Sequence, residues 1–213
     1  MDDIGIARRA RLERSRLYLC TGVRPDLETF VNTVCEAGID IVQLREKERP
    51  AREVLEAARV ARDAAHAFGA LFILNDRPDL ALACDADGVH VGQDDAPPSL
   101  CRTILGDDVI VGLSTHAPSE LDASIHEPID YISVGPVEAT PTKPGRPGTG
   151  IEYVHYAAGH ADRPFFVTGG VSPETLPDLA GSGASRFVVV RALTEASDPG
   201  AVAREMRRLA DRL

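Results

Sequence analysis

The sequence predicts a closed (β/α)8 barrel of the TIM type, a single domain over residues 1–213 with a short N-terminal helical lead-in. Three observations carry that expectation. Eight short β-rich runs alternate with amphipathic or alanine-rich segments along the chain. Most of these runs are continuously apolar, as strands covered on both faces of a parallel sheet must be. A chain of 213 residues with 44% hydrophobic side chains also suffices for one compact barrel without long excursions. An open α/β sheet is the alternative, because short runs such as 88–91 are easily overcounted.

The elements follow in order. Residues 1–15, with Arg8, Arg9, Arg11 and Arg14, read as a helical flank whose charges are solvated. RLYLCTG (16–22) is the first strand, followed by a helix near 26–37, and IDIVQLR (39–45) is the second strand. The clearest helix covers 50–68, where Val54, Ala58, Ala61, Ala65 and Phe68 recur at steps of four and three while Glu53, Glu56 and Asp63 face outward. LFILN (71–75), GVHV (88–91), VIVGLS (109–114), YISVG (131–135), FFVTGG (165–170) and RFVVV (186–190) complete the strands. Helices fit near 77–84, 97–104, 117–126, 150–158 and 173–181. The last of these should start at Ser172 as N-cap, with Pro173 in its first turn. A C-terminal helix presents Val202, Met206, Leu209 and Leu213 as its stripe.

Composition narrows the function classes. With 33 acidic and 23 basic side chains the net charge is -10, which argues against a nucleic-acid partner needing a broad positive footprint. No apolar leader opens the chain, and no segment offers the ~20 apolar residues needed to cross a bilayer, so no membrane partner and a cytoplasmic location are expected. Cys20, Cys35, Cys84 and Cys101 form no CxxC pair and read as small apolar packing residues.

Chemistry in such a barrel gathers where strands run into their following helices. In IVQLREK, Gln43, Arg45 and Lys47 alternate, so a period of two points an amide and two cations toward the barrel mouth, where they suit an anion. The third strand ends at Asn75-Asp76 and the fourth leads to Asp95. Two readings of these aspartates stand side by side: ligands of one Mg2+, which takes one or two carboxylates plus phosphate oxygens, or strand-end caps. Ser114, Thr115 and His116 leave the fifth strand as phosphate contacts or helix caps. His90 and His116 lack a nucleophile or orienting carboxylate at a diagnostic spacing, which favours structural or positioning roles. Gly169-Gly170 and Val190-Arg191-Ala192 follow strands seven and eight, the usual phosphate loops of this architecture.

Taken together, QLREK (43–47), ND (75–76), DGVHVGQDD (87–95), LST (113–115), GPVEATPTK (135–143) and GG (169–170) resemble the thiamine-phosphate synthase family, in the family's order and over nearly the whole chain. The resemblance implies Mg2+-dependent coupling of 4-amino-5-hydroxymethyl-2-methylpyrimidine diphosphate to 4-methyl-5-(2-phosphoethyl)thiazole. Thiamine monophosphate and pyrophosphate would form through a dissociative displacement by the thiazole nitrogen. It further implies that Asp76 and Asp95 hold Mg2+ and that Arg45, Lys47, Asn75 and Lys143 surround the diphosphate. Ser114 would lie close to the reacting groups, and Gln43 would position the pyrimidine or its diphosphate end. Thr140 and Thr142 match positions near the thiazole phosphate, under a closing loop over 136–150, and Gly170 with Arg191-Ala192 completes that pocket.

Two departures stand out. Thr21-Gly22 replaces a frequent aspartate, and Arg191 replaces a frequent small serine, so its side chain either strengthens phosphate binding or turns outward. A thiazole tautomerase of the same fold would not need the full diphosphate and metal set. A noncatalytic phosphate-ligand binder would have no use for two aspartates facing basic residues. The expected partners are phosphorylated small molecules, with room left for a homo-oligomer.

Overall fold

The computed structural model describes residues 3–139 and 147–213. Eight strands form a closed, wholly parallel barrel: β1 (Leu17–Thr21), β2 (Ile41–Leu44), β3 (Leu71–Asn75), β4 (Gly88–Val91), β5 (Ile110–Thr115), β6 (Tyr131–Val134), β7 (Phe165–Val167) and β8 (Phe187–Val189). β8 closes onto β1 through the pairs Leu17↔Phe187, Tyr18↔Val188 and Leu19↔Val189. Around the barrel lie α1 (Asp3–Arg14), α2 (Leu27–Glu36), α3 (Ala51–Ala67), α4 (Pro78–Ala83), α5 (Pro98–Leu105), α6 (Pro118–Ser124), α7 (Ile151–His160), α8 (Leu176–Gly181), α9 (Arg191–Thr194) and α10 (Pro199–Ala210). The expected (β/α)8 barrel with a helical lead-in is therefore the architecture.

Strand alternation divides the core in two. Leu17, Leu19, Val42, Leu44, Phe72 and Leu74 pack outward under the helices, while Tyr18, Ile41, Leu71, Ile73, Ile110, Tyr131, Phe166 and Val188 fill the barrel itself. In α3, Val54, Ala58, Ala61 and Ala65 are buried as the periodicity predicts, but Phe68 follows the helix and is 46% exposed. In α10 the buried stripe is Ala203, Met206 and Ala210, one residue round from the stripe expected at Val202 and Leu209, and Leu213 is exposed.

Of the four arginines of α1, Arg11 and Arg14 are exposed as expected, but Arg8 and Arg9 are not solvated. Arg8 Nε meets Asp87 Oδ1 at 2.9 Å and Arg9 Nε meets Asp130 Oδ1 at 2.7 Å, and Leu12 joins the cluster inside the barrel. Asp87 and Asp130 immediately precede β4 and β6, so α1 covers the end of the barrel where the strands begin. The same aspartates tie neighbouring strands together. Asp40, Asp87 and Asp130, each just before an even-numbered strand, accept the N–H groups of Leu17, Phe72 and Val111 near the starts of β1, β3 and β5. One carboxylate thus satisfies a strand-end donor and a half-buried guanidinium together.

Two local expectations fail, one on a hydrogen bond and one on backbone conformation. α8 starts at Leu176, not at Pro173: the Thr175 hydroxyl donates to Gly170 O at 2.7 Å, folding residues 172–175 into a turn before the helix. The seventh strand stops at Val167, because Gly169 and Gly170 carry φ of +96° and +77°, outside the range of extended chain. The single-turn helix α9, too short for a periodic signal, was not expected.

Candidate active site

At the end of the barrel where the strands finish, the inward positions turn polar. Gln43, Asn75, His90, Ser114 and Ser133 are all buried and line a cavity of about 390 Å³ with Tyr18, Cys20 and Arg45. Its other wall is Pro136, Glu138, Gly169, Gly170, Arg191 and Ala192. Seven of the residues expected at the site therefore share one cavity: Gln43, Arg45, Asn75, Ser114, Gly170, Arg191 and Ala192. The size suits a small organic ligand.

Arg45 lies one residue past β2, where its N–H still donates to Thr21 O at 2.8 Å, so the inward alternation from Gln43 continues to it. Lys47, two residues on, meets Asp76 Oδ2 at 2.7 Å and Asp95 Oδ1 at 4.0 Å instead of lining the cavity. Asp76 takes a left-handed backbone, φ +62°, directly after buried Asn75, and its N–H donates to His90 O at 2.8 Å. That turn swings its carboxylate to Lys47 and to Asp95, with which it shares a side-chain hydrogen bond. Burial, with the neighbouring Asp95 charge, raises the Asp76 pKa against the pull of Lys47. Asp95 is lowered: burial opposes this, but the hydrogen bonds from Asp76 and the Gly92 N–H and the charge of Lys47 prevail.

Asn75 presents an unmet demand. Its Nδ2 is buried and has no hydrogen-bond partner, an arrangement that costs roughly 1–3 kcal/mol unless a ligand supplies an acceptor.

Ser114 Oγ lies 2.9 Å from His90 Nε2, and Gln93 Nε2 donates to Ser114 O at 2.7 Å. Thr115 points away, its hydroxyl donating to Ser133 O, and His116 pairs with Glu120 at 2.9 Å, a structural role. On the opposite wall, a side chain at Gly169 would run into Pro136 and Val137, and one at Gly170 into the Glu138 carboxylate. Arg191 is exposed and Ala192 half-buried at the start of α9. Thr140, Thr142 and Lys143 lie outside the described residues. The loop that carries them is closed at its base by Thr149 N–H to Pro136 O at 2.7 Å and Gly150 N–H to Val137 O at 3.1 Å.

Sequence reasoning assigned nothing to Tyr18, Tyr131 or Glu138, and left His90 without a partner. An aromatic inside an apolar strand reads as core, so only the fold brings Tyr18, Tyr131 and His90 together. Among the described residues no group of three or more His, Cys, Asp or Glu side chains suits a metal ion, and Asp76 and Asp95 form a pair of touching carboxylates. No helix among the described residues is long and apolar enough to cross a membrane.

Comparison with known proteins points one way. The family model for thiamine monophosphate synthase matches residues 17–193. Thiamine-phosphate synthase of Acidothermus cellulolyticus is 46% identical over 202 residues, covering 92% of this chain and 95% of that protein. That of Thermobifida fusca is 48% identical over 206 residues, covering 94% of each. A relative from Gloeobacter violaceus is 48% identical over 90% of this chain, which spans 56% of that longer protein. Among solved structures, thiamine phosphate pyrophosphorylase from Pyrococcus furiosus superposes with a TM-score of 0.85 at 27% identity, over 96% of this chain and 98% of that one. With the family's motif residues gathered at one barrel mouth and matches covering nearly the full chain, the protein belongs to the thiamine monophosphate synthase family.

Proposed function

We propose that this barrel mouth carries out the family's condensation, joining the pyrimidine diphosphate to the thiazole phosphate. The products are thiamine monophosphate and pyrophosphate. The bond from the pyrimidine methylene to the diphosphate oxygen breaks, the thiazole nitrogen forms the new bond to that carbon, and both electrons of the broken bond leave with pyrophosphate. Such a step asks the protein for positive charge and donors at the leaving group rather than for a nucleophile.

The observation that carries this assignment is Asn75 Nδ2, buried without a partner in the cavity wall one residue before the cluster of Asp76, Asp95 and Lys47. An anionic oxygen satisfies that donor, and Arg45 and Lys47 supply charge around it. The family resemblance assigns Lys143, which lies outside the described residues, to the same diphosphate. Ser114 lies beside the reacting groups, Gln43 orients the pyrimidine, and the cavity's apolar and aromatic floor, with Tyr18 and Val188, excludes water.

Asp76 and Asp95 fit Mg2+. The two carboxylates touch and already draw a cation, Lys47, whose ammonium lies 2.7 Å from Asp76 and 4.0 Å from Asp95. Mg2+ there would supply Lewis-acid charge to the departing diphosphate. The positive-φ glycines after β7 and the start of α9 after β8 offer backbone N–H groups to the thiazole phosphate, with Arg191 beside them, and the family resemblance assigns Thr140 and Thr142 to the same phosphate.

A two-substrate assay with and without Mg2+, detecting thiamine monophosphate and pyrophosphate together, tests the whole reading. Both products should form at equal yield and only with the metal. Isomerisation of a thiazole carboxylate phosphate without joining would reassign the chain to a tautomerase, and binding without turnover would make it a phosphate-ligand binder.

A further inference from the structure

A continuous chain of buried side chains runs beneath the cavity. Cys20 Sγ donates to Gln43 Oε1 at 3.2 Å, and Gln43 Nε2 donates to Tyr18 Oη at 2.8 Å. Tyr18 Oη and Tyr131 Oη lie 2.9 Å apart, and Tyr131 Oη lies 2.9 Å from His90 Nδ1. His90 Nε2 then reaches Ser114 Oγ at 2.9 Å. The register sets up the contacts: Cys20 is opposite Gln43, and His90, Gly112 and Tyr131 sit in one row across β4, β5 and β6.

The direction of this chain follows from counting protons. An amide nitrogen only donates, so Tyr18 Oη accepts from Gln43 and its one proton goes on to Tyr131. Tyr131 Oη, having accepted, gives its own proton to His90 Nδ1. Burial raises the pKa of both phenols, so neither surrenders the proton it passes along. An accepting Nδ1 leaves the imidazole proton on Nε2, where it is donated to Ser114 Oγ. At the other end the Cys20 S–H donates to Gln43 Oε1, which matches an amide whose Nε2 faces Tyr18.

We propose that Tyr18, Tyr131 and His90 are positioning residues that fix His90 as its Nε2–H tautomer and so hold Ser114 Oγ as a hydrogen-bond donor in the cavity. The opposite polarity, with Ser114 giving its proton to Nε2, would prepare a serine nucleophile, which leaving-group departure does not use. A serine held as a donor instead supports negative charge building on a leaving oxygen. The role in turnover rests on the condensation proposed above, whereas the tautomer is a property of the protein alone.

The test has two arms. In protein labelled with 15N-histidine and free of substrates, the His90 signals are assigned by their loss in His90→Gln, and long-range 1H–15N spectra near pH 7 read its tautomer. A neutral ring protonated on Nε2 is expected; a ring protonated on Nδ1, or on both nitrogens, overturns the proposal. In the kinetic arm Tyr131→Phe should lower kcat about tenfold, the loss of one hydrogen bond's worth of stabilisation, with little change in KM. The same change added to Ser114→Ala should have little further effect. His90→Gln, which can place a donor where Nε2 stood, should keep more activity than His90→Ala. Independent losses from Tyr131→Phe and Ser114→Ala would overturn the positioning role. An inactive wild-type protein with the Nε2–H tautomer refutes the condensation while upholding the chain's direction; an active one with the Nδ1–H tautomer does the reverse. Should Tyr131→Phe fail to fold, the wild-type tautomer decides.

Discussion

Gly112→Ala adds one methyl group at a point where the barrel interior has no room for it. Gly112 of β5 faces Tyr131 of β6 in register, and a Cβ there would stand 2.5 Å from Tyr131 Oη and closer still to Cζ and Cε1. The ring can yield only by leaving its edge-on packing against Phe166, at 5.5 Å between centroids, and its near-parallel stacking on His90, at 5.4 Å. Overpacking of this kind costs about 1–3 kcal/mol. Losing the Tyr131 hydrogen bonds to Tyr18 and His90 adds about 1 kcal/mol each. The sum, roughly 3–5 kcal/mol, leaves most domains folded, since their total stability is about 5–15 kcal/mol. At about 2–4 °C per kcal/mol for a domain of this size, the melting temperature should fall by on the order of 10 °C. Calorimetry or far-UV circular dichroism reads the shift, and the two-substrate assay should show a fall in turnover with it. A double variant, Gly112→Ala with Tyr131→Leu, should regain part of the stability but not the turnover. Melting within about 2 °C of wild type would refute the packing argument.

Two further predictions address other parts of the molecule. Asn75→Leu removes an unsatisfied buried amide, so stability in urea should hold or rise by up to about 1 kcal/mol while turnover falls roughly tenfold to a hundredfold, the value of a hydrogen bond to a charged oxygen; a loss of stability without loss of turnover would reverse the assignment. Asp87 is buried, and although burial alone would raise its pKa, hydrogen bonds from His66, the Phe72 N–H and Arg8 pull it below the usual carboxylate value. A depressed folded-state pKa contributes stability that is present above the unfolded value of about 3.9 and is lost as pH falls through the folded value. Asp87→Asn should therefore cost about 3 kcal/mol at neutral pH, by leaving Arg8 without its charged partner, and flatten the acid limb of urea stability measured below about pH 4. An acid limb identical to wild type would show that Asp87 does not carry it.

The barrel was legible because its signal is repeated. Eight apolar runs with polar junctions leave few alternatives, and β3 and β4 even keep their expected bounds. What failed were places where one hydrogen bond decides. Nothing local distinguishes Ser172-Pro173 as a helix start from Ser172 as the start of a turn; the Thr175 hydroxyl on Gly170 O settles it. Arg8 and Arg9 of α1 looked solvated because Asp87 and Asp130, their partners, lie far along the chain. The motif residues at strand ends were visible for the opposite reason. Charge and amides at the close of apolar strands have no packing purpose, so Gln43, Arg45, Asn75 and Ser114 stood out where Tyr18 and Tyr131 did not.

That contrast follows from how a parallel barrel is filled. Going along β3, the inward positions change from Leu71 and Ile73 to Asn75, and along β5 from Ile110 through Gly112 to Ser114. These strands therefore carry their own transition from packing to chemistry within two or three inward residues, whereas β8 stays apolar through Val188 and Val190. Tyr18 and Tyr131 straddle the boundary: their rings complete the apolar layer against Phe166, while their hydroxyls belong to the polar layer above. A phenylalanine at either position would satisfy the first layer and break the second. The distinction between structural and functional aromatics in this barrel thus rests on one oxygen atom, and the tautomer of His90 is the observable that reports it.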